Sequence, residues 1–379
     1  MQPFDMLDAD VIQEGSATDA YFLRTEETLD AAGKNPHVDI EITADQYPRG
    51  DPELFAGVKD VATLLAGLPI DVDAIEEGRL FDGGPVMRIA GPYADIARYE
   101  TAILGFLSQA SGFATHALYA RNAAPDATLL SFGARHVHPA IAPVVERSAL
   151  IAGFDGISHV ASGELLGRNA SGTMPHALML CFGRGNQEAA WLAFHEAVGP
   201  DVPRVALCDT FSDEVEEVLR AANALGSSLD SVRIDTTGSR RGNYRDILRE
   251  VRWELDMAGY DDVSIFASGG IGVEALHDLR DVVEGFGIGS YITSADPVDF
   301  ALDIVAVEGE PISKRGKLSG VKSVYRDATG EITIQPASAP APDGQTEMLK
   351  PLLRDGDIVR DSSIEAAAER TKNEREYLP

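Results

Sequence analysis

The chain has 379 residues, 61 acidic against 32 basic, for a formal charge of −29 with histidine neutral. That balance argues against a nucleic-acid groove, which needs a basic face for phosphates. A composition 44% hydrophobic and 25% charged is that of folded globular material with room for two or three domains.

No apolar run reaches membrane-spanning length, and MQPFDMLDAD lacks the basic and apolar blocks of a secretion signal. A soluble cytoplasmic protein is expected, with neither membrane nor nucleic acid as partner. Cys181 and Cys208 are the only cysteines, too few for a disulfide framework or a four-cysteine zinc site; both read as small buried apolar residues rather than reactive thiols. Acidic residues are dispersed and there are only seven lysines, which suits a cytosol salty enough to screen the self-repulsion.

In chain order, residues 1–112 mix strand-like runs (HVDIEITADQY, GPVMRIAGPY) with helical ones (DVATLLAGL, IARYETAILGFLSQASGF), and predict an N-terminal α+β domain. From 113 to 296 the rhythm becomes strand then helix. ATLLSFGAR precedes PAIAPVVERSALIAG, RVALCDTF precedes SDEVEEVLRAANALG, SVRIDTTG precedes YRDILREVRWELDMAG, and VSIFASGGI precedes a helix opening at Val273. Short apolar strands alternating with helices of this length imply a parallel sheet covered on both faces, here an irregular, closed or nearly closed α/β barrel. Val215, Val218, Leu219, Ala222 and Leu225 form one helical stripe, and Tyr244, Ile247, Leu248, Val251 and Leu255 another. Ser212 is the expected N-cap of the first. Residues 297–335 look strand-rich and are expected to rejoin the N-terminal domain; 336–379 reads as a linker (PASAPAPDG) and a charged helical tail.

Parallel α/β barrels work at the C-terminal rim of their strands. FASGGIG and FGIGS end two successive strands there, so the amides of Ser268, Gly269, Gly270, Gly287, Gly289 and Ser290 suit a phosphate; the plain alternative is that glycine permits tight turns. SFGARHVHP brings Phe132, Arg135, His136 and His138 to another strand end, either an anion site or surface cations. Asp209 of CDTF and Asp235 of IDTTGSRRGN fit Mg²⁺ held through water, or helix capping. Arg240 and Arg241 suit phosphate forks or partners for nearby acids. His176 is open to either a structural or a chemical role.

Together, TDAY, SFGARHVHP, GISHVAS, GTMPHA, CDTF, RIDTTGSRRGN, ASGGI, FGIGS and KRGKLSGVK resemble, in order, the nicotinate phosphoribosyltransferases in their archaeal form, over about 310 residues. The resemblance implies a type II phosphoribosyltransferase: an irregular β/α barrel with an N-terminal domain, assembled as a dimer or higher homo-oligomer with shared active sites. It implies nicotinate, 5-phosphoribosyl-1-diphosphate and ATP as substrates, Mg²⁺ as cofactor, and a place in NAD biosynthesis. By the same resemblance, Tyr21 of a partner subunit and Phe132 sandwich the pyridine ring, with Arg135 facing its carboxylate and the ribosyl phosphates. His136, Thr173, Arg240 and Arg241 complete the substrate site, His176 is the histidine phosphorylated by ATP, and Arg135 and Asp235 act with it in catalysis. Ser158 stands where nicotinamide-using relatives carry an aspartate, which favours the acid over the amide. Two departures stand out. Bacterial members carry Asp-Ser-Gly-Asp where this chain has Asp235-Thr-Thr-Gly238, and the tail lacks the cysteines of a zinc module found in some archaeal relatives, so no structural zinc is expected. A quinolinate phosphoribosyltransferase, another phosphate-binding barrel enzyme or a non-catalytic sensor of phosphoribosyl ligands are the alternatives.

Overall fold

A computed structural model describes residues 4–47, 52–240 and 242–378. The chain divides into two compact units: one takes the chain up to Leu118, Ile151–Gly153 and everything from Ala295 on, the other Tyr119–Leu150 and Phe154–Ser294. The division falls inside one continuous 24-residue helix, Glu100–Ala123, where composition placed a boundary at 112 and 113. No proline interrupts that stretch, so the helix runs on.

The first unit is built on a seven-stranded antiparallel sheet in the order Glu310–Pro311, Asp299–Val307, His37–Gln46, Pro85–Pro92, Asp71–Ala74, Lys350–Arg354, Asp357–Ile358. His37–Gln46 shows why: Val38, Ile40 and Ile42 alternate into the core, and the intervening Glu41 is buried only because Lys322 meets it at 2.8 Å. Asp299–Val307 pairs antiparallel with His37–Gln46. Residues 336–379 differ from the linker and tail their polarity predicts. Lys350–Arg354 is a sheet strand with Leu352 and Leu353 buried, and the helix Ile364–Glu374 is anchored by Glu374, which receives Arg79 at 2.8 Å and Arg326. Two leucines are too few for a periodic signal, and a buried ion pair reads as surface in a sequence.

The second unit holds six parallel strands in the order Gly156–Ile157, Thr128–Ser131, Gly285–Ile288, Ser264–Ala267, Ser231–Ile234, Val205–Leu207. The sheet is an open half-barrel and not a closed one: among the described residues its edge strands, two and three residues long, do not pair with each other. The chain between them is helical (Val160–Leu166, His176–Phe182, Gln187–Ala197) apart from the loop 167–175, in which Ala170 forms a single parallel bridge with Ile157. Cys181, expected to be buried, is exposed on the second of these helices, while Cys208 is buried. The helix Tyr244–Met257 buries Tyr244, Leu248, Val251 and Leu255, four of the five stripe residues. The helix Glu214–Leu225 is capped by Asp213, which accepts from Val215 N–H at 3.0 Å; Ser212 instead donates its N–H to the buried Glu217 at 2.8 Å. The aspartate lies one residue nearer the helix and reaches two of its free N–H groups.

Candidate active site

A cavity of about 600 Å³ lies at the C-terminal ends of the parallel strands, wholly within the second unit. Phe132, Arg135, His136, Ser158, Thr173, Asp235, Ser268, Gly269, Gly270, Gly287, Gly289 and Ser290 all line it. Each follows or ends a strand, except Gly287, which lies inside one, and Thr173, which comes from the loop 167–175.

The glycines divide into two kinds. Gly269 (φ +84°) and Gly270 (φ +70°) adopt a left-handed turn that other residues resist, and a β-carbon on Gly269 would stand 2.6 Å from Asp235 Oδ1. Gly287 is different: it sits inside the strand Gly285–Ile288 beside Leu130, not in a turn. A β-carbon there would meet Phe132 Cε2 at 2.2 Å, and one on Gly289 would meet His136 Cε1 at 3.0 Å. These two glycines make room for an aromatic ring and an imidazole. Of the neighbouring histidines, His136 lines the cavity, whereas His138 caps the turn Pro139–Ile141 by accepting from Ala140 N–H at 3.2 Å.

Arg233 is a cavity residue that the sequence reading passed over. It stands within the strand Ser231–Ile234, hydrogen-bonds Thr173 Oγ1, donates to Met174 O at 3.2 Å and comes within 4.0 Å of Asp235 Oδ2. Burial lowers its pKa, with Asp235 and Asp209 opposing. The available signal was an arginine between Val232 and Ile234 in a buried strand, a position that calls for a polar partner inside the sheet.

His176, Asp209, Asp235 and Arg240 line a second cavity. His176 Nδ1 is 3.1 Å from Thr210 Oγ1, and Nε2 is 3.8 Å from Asp209 Oδ1 and 3.7 Å from Asp235 Oδ2. The Asp235 carboxylate raises the histidine's pKa, aided by Asp209. Burial pushes Asp209 up to about 6 despite His176; burial pushes Asp235 the same way, but His176 and Arg233 outweigh it and hold Asp235 below the ordinary range. Asp209 Oδ2 accepts from Asp235 N–H at 2.6 Å and from Thr236 at 3.2 Å, while the buried Oδ1 has no hydrogen-bond partner. A buried carboxylate oxygen without a partner beside a second carboxylate fits Mg²⁺ bound mainly through water and substrate phosphates. Among the described residues no three His, Cys, Asp or Glu are arranged to hold a metal by themselves. Arg241 lies outside the described residues.

Ser158 lines the first cavity, and its hydroxyl donates to Glu146 Oε1 at 3.4 Å. Tyr21 belongs to the first unit, 56% exposed on the helix Ala20–Ala31. Among the described residues no helix is long and apolar enough to cross a membrane.

The family model for the quinolinate phosphoribosyl transferase N-terminal domain matches residues 19–111, and that for its C-terminal domain residues 113–303. The nicotinate phosphoribosyltransferase pncB1 of Mycobacterium tuberculosis is 30% identical over 331 residues, 82% of this chain and 72% of its own length. The solved nicotinate-nucleotide pyrophosphorylase from Pyrococcus furiosus matches with a TM-score of 0.95 at 46% identity, covering 100% of this chain and 99% of that one. Human nicotinic acid phosphoribosyltransferase shares the fold, with a TM-score of 0.77 at 21% identity over 96% of this chain and 94% of its own.

Proposed function

This chain belongs to the type II phosphoribosyltransferase family, and from that premise we propose that it joins nicotinate to 5-phosphoribosyl-1-diphosphate, giving nicotinate mononucleotide and diphosphate, in an ATP-coupled reaction. The observation that carries the acceptor is one cavity lined by the aromatic ring of Phe132 together with Arg135 and Arg233, a combination suited to an aromatic acid.

In this reading the pyridine nitrogen's lone pair forms the bond to C1 of the ribose as the C1–O bond to diphosphate breaks. The diphosphate leaves with that bond's electron pair, and the positive charge ends on the pyridinium ring. No proton is exchanged in that step, so positioning and charge neutralisation carry the rate. The Gly269–Gly270 turn, with Ser268 and Ser290, anchors the 5-phosphate; Arg240 and Arg241 take the diphosphate oxygens. Asp209 and Asp235 are the residues that would hold Mg²⁺, which supplies further neutralisation of the leaving group when bound. Tyr21 of a second copy supplies the other aromatic face, in keeping with its exposure. His176, its Nε2 flanked by two carboxylates, takes the γ-phosphoryl group of ATP as the bond to ADP breaks and ADP departs, and water later releases the group as phosphate.

The test is turnover by the purified chain in molar KCl with nicotinate, the diphosphate donor and Mg²⁺, with and without ATP. Nicotinate mononucleotide and diphosphate in equal amounts, with ATP stimulation, are expected. A second reading has its own support in the name of the matching family models and in the second cavity cation, Arg233: quinolinate as acceptor. Product from quinolinate with release of CO₂, and none from nicotinate, would replace the first reading by the second.

A further inference from the structure

The mechanism above makes no use of one buried acid, Glu146, on the helix Ala142–Ile151. Its Oε1 accepts the N–H of Ser158 and of His159, both at 3.3 Å, and the hydroxyl of Ser158 at 3.4 Å. Its Oε2 is buried without a partner. Glu217 is a control within the same unit. It too is buried at a strand-end turn, yet both its oxygens are engaged, Oε2 by Thr210 N–H at 3.0 Å and Oε1 by Phe211 and Ser212 N–H at 2.7 and 2.8 Å. A glutamate that only fastens a turn can therefore be fully satisfied in this fold. Leaving one oxygen of a buried carboxyl without a hydrogen bond is unfavourable, and burial pushes Glu146's pKa up against the pull of the nearby Ser131 hydroxyl and then of the Ser158 and His159 N–H groups.

We propose that Glu146 is a positioning residue that sets acceptor choice at Ser158, by taking the hydroxyl's proton and leaving only the oxygen's lone pairs for the substrate. The inference rests on the acceptor reading given above. A hydroxyl has one proton to give. Spent on Glu146, it cannot be donated to a carboxylate in the cavity, so recognition of the acid falls to the guanidinium groups. The NH₂ of the corresponding carboxamide, by contrast, finds an acceptor in Ser158. The pocket is thus more permissive toward the amide than a free serine hydroxyl would make it.

The experiment compares nicotinate and nicotinamide as acceptors, by direct titration of binding and by kcat and KM, in the full-length wild type, S158A, E146Q, E146M and E146M/S158A. In E146M the freed hydroxyl turns to the acid, and the acid-over-amide preference rises about tenfold, through acceptor affinity, with the donor KM unchanged. E146Q keeps the accepting oxygen and retains the wild-type preference. In the S158A background E146M adds nothing. An unchanged preference in E146M, or the same change with and without Ser158, overturns the proposal. Should E146M fail to fold, S158A decides: losing the amide's partner raises acid preference about fivefold, and a preference within about twofold of wild type overturns the idea. A wild type that uses neither pyridine refutes the acceptor reading itself, whereas one that uses nicotinate with an unmoved preference refutes only the role of Glu146.

Discussion

The ring of Phe132 lies so close over Gly287 that a β-carbon on the glycine would stand 2.2 Å from Cε2 and 2.4 Å from Cδ2 of the ring. Glycine at 287 is therefore a condition for the aromatic face of the cavity. Gly287→Ala should expel the ring, lowering stability by about 1–3 kcal/mol as in other overpacked cores and raising the acceptor KM about tenfold or more. Thermal unfolding and steady-state kinetics check both, and unchanged values would mean that the ring does not seat the acceptor.

Arg233 ties the loop at Thr173 and Met174 to the sheet. Lysine has no second planar donor to span both, so Arg233→Lys should lose at least one charge-assisted hydrogen bond, about 1.5–3 kcal/mol. The expected result is a lower unfolding midpoint together with a fall in kcat/KM of about tenfold or more. Full activity in the lysine variant would show that charge alone suffices.

His176 is the third point. His176→Ala should abolish ATP stimulation while leaving ATP-independent turnover, and a variant still fully stimulated by ATP would remove the residue from the coupling step. Only the neutral imidazole can accept a phosphoryl group, and Asp235 raises its pKa above the ordinary value. The stimulated rate should therefore rise with pH through that raised pKa, and Asp235→Asn should move the rise to lower pH.

Ser158→Asp would introduce a carboxylate beside the buried Glu146, whose Oε1 is 3.4 Å from the present hydroxyl. Two acids there cannot both ionise without a large penalty, so the variant should lose about 3 kcal/mol or more at neutral pH. S158D/E146Q should recover most of that loss. Equal unfolding midpoints for the single and double variants would show that the two positions do not interact.

Glu100 concerns stability alone. Burial, reinforced by Asp303, raises its pKa from 4.5 to about 7. The folded state thus holds the proton more tightly than the unfolded one, so this group's contribution is most favourable below the unfolded value and declines as pH rises from about 4.5 to about 7. Glu100→Gln should raise the unfolding temperature at pH 8 and change it little at pH 4. A benefit independent of pH would separate Glu100 from this titration.

Much of the site was legible because strand–turn–helix grammar is local. Phe132, Arg135, Asp235 and the Ser268–Gly270 turn follow strands that are apolar over a few residues and end abruptly, and strand ends of a parallel sheet share one rim. Glu146 and Glu217 were not legible. An acid on an amphipathic helix looks like part of its wet face, and only the turn packed over it supplies the N–H groups that justify its burial. Arg233 was half legible, since a cation in an apolar strand signals a polar interior without naming Thr173 as the partner.

What the amino-acid order alone determined is the alternation of strands and helices, the character of the rim and the surplus of negative charge, all properties of short windows or of sums. Only the tertiary structure decided that the parallel sheet stays open, that Lys350–Arg354 joins the antiparallel one, that Gly287 serves Phe132, and that the Ser158 hydroxyl donates to Glu146. Each of these depends on which distant segments meet, a choice made by shape and by the need to satisfy buried polar groups, neither of which a local pattern records.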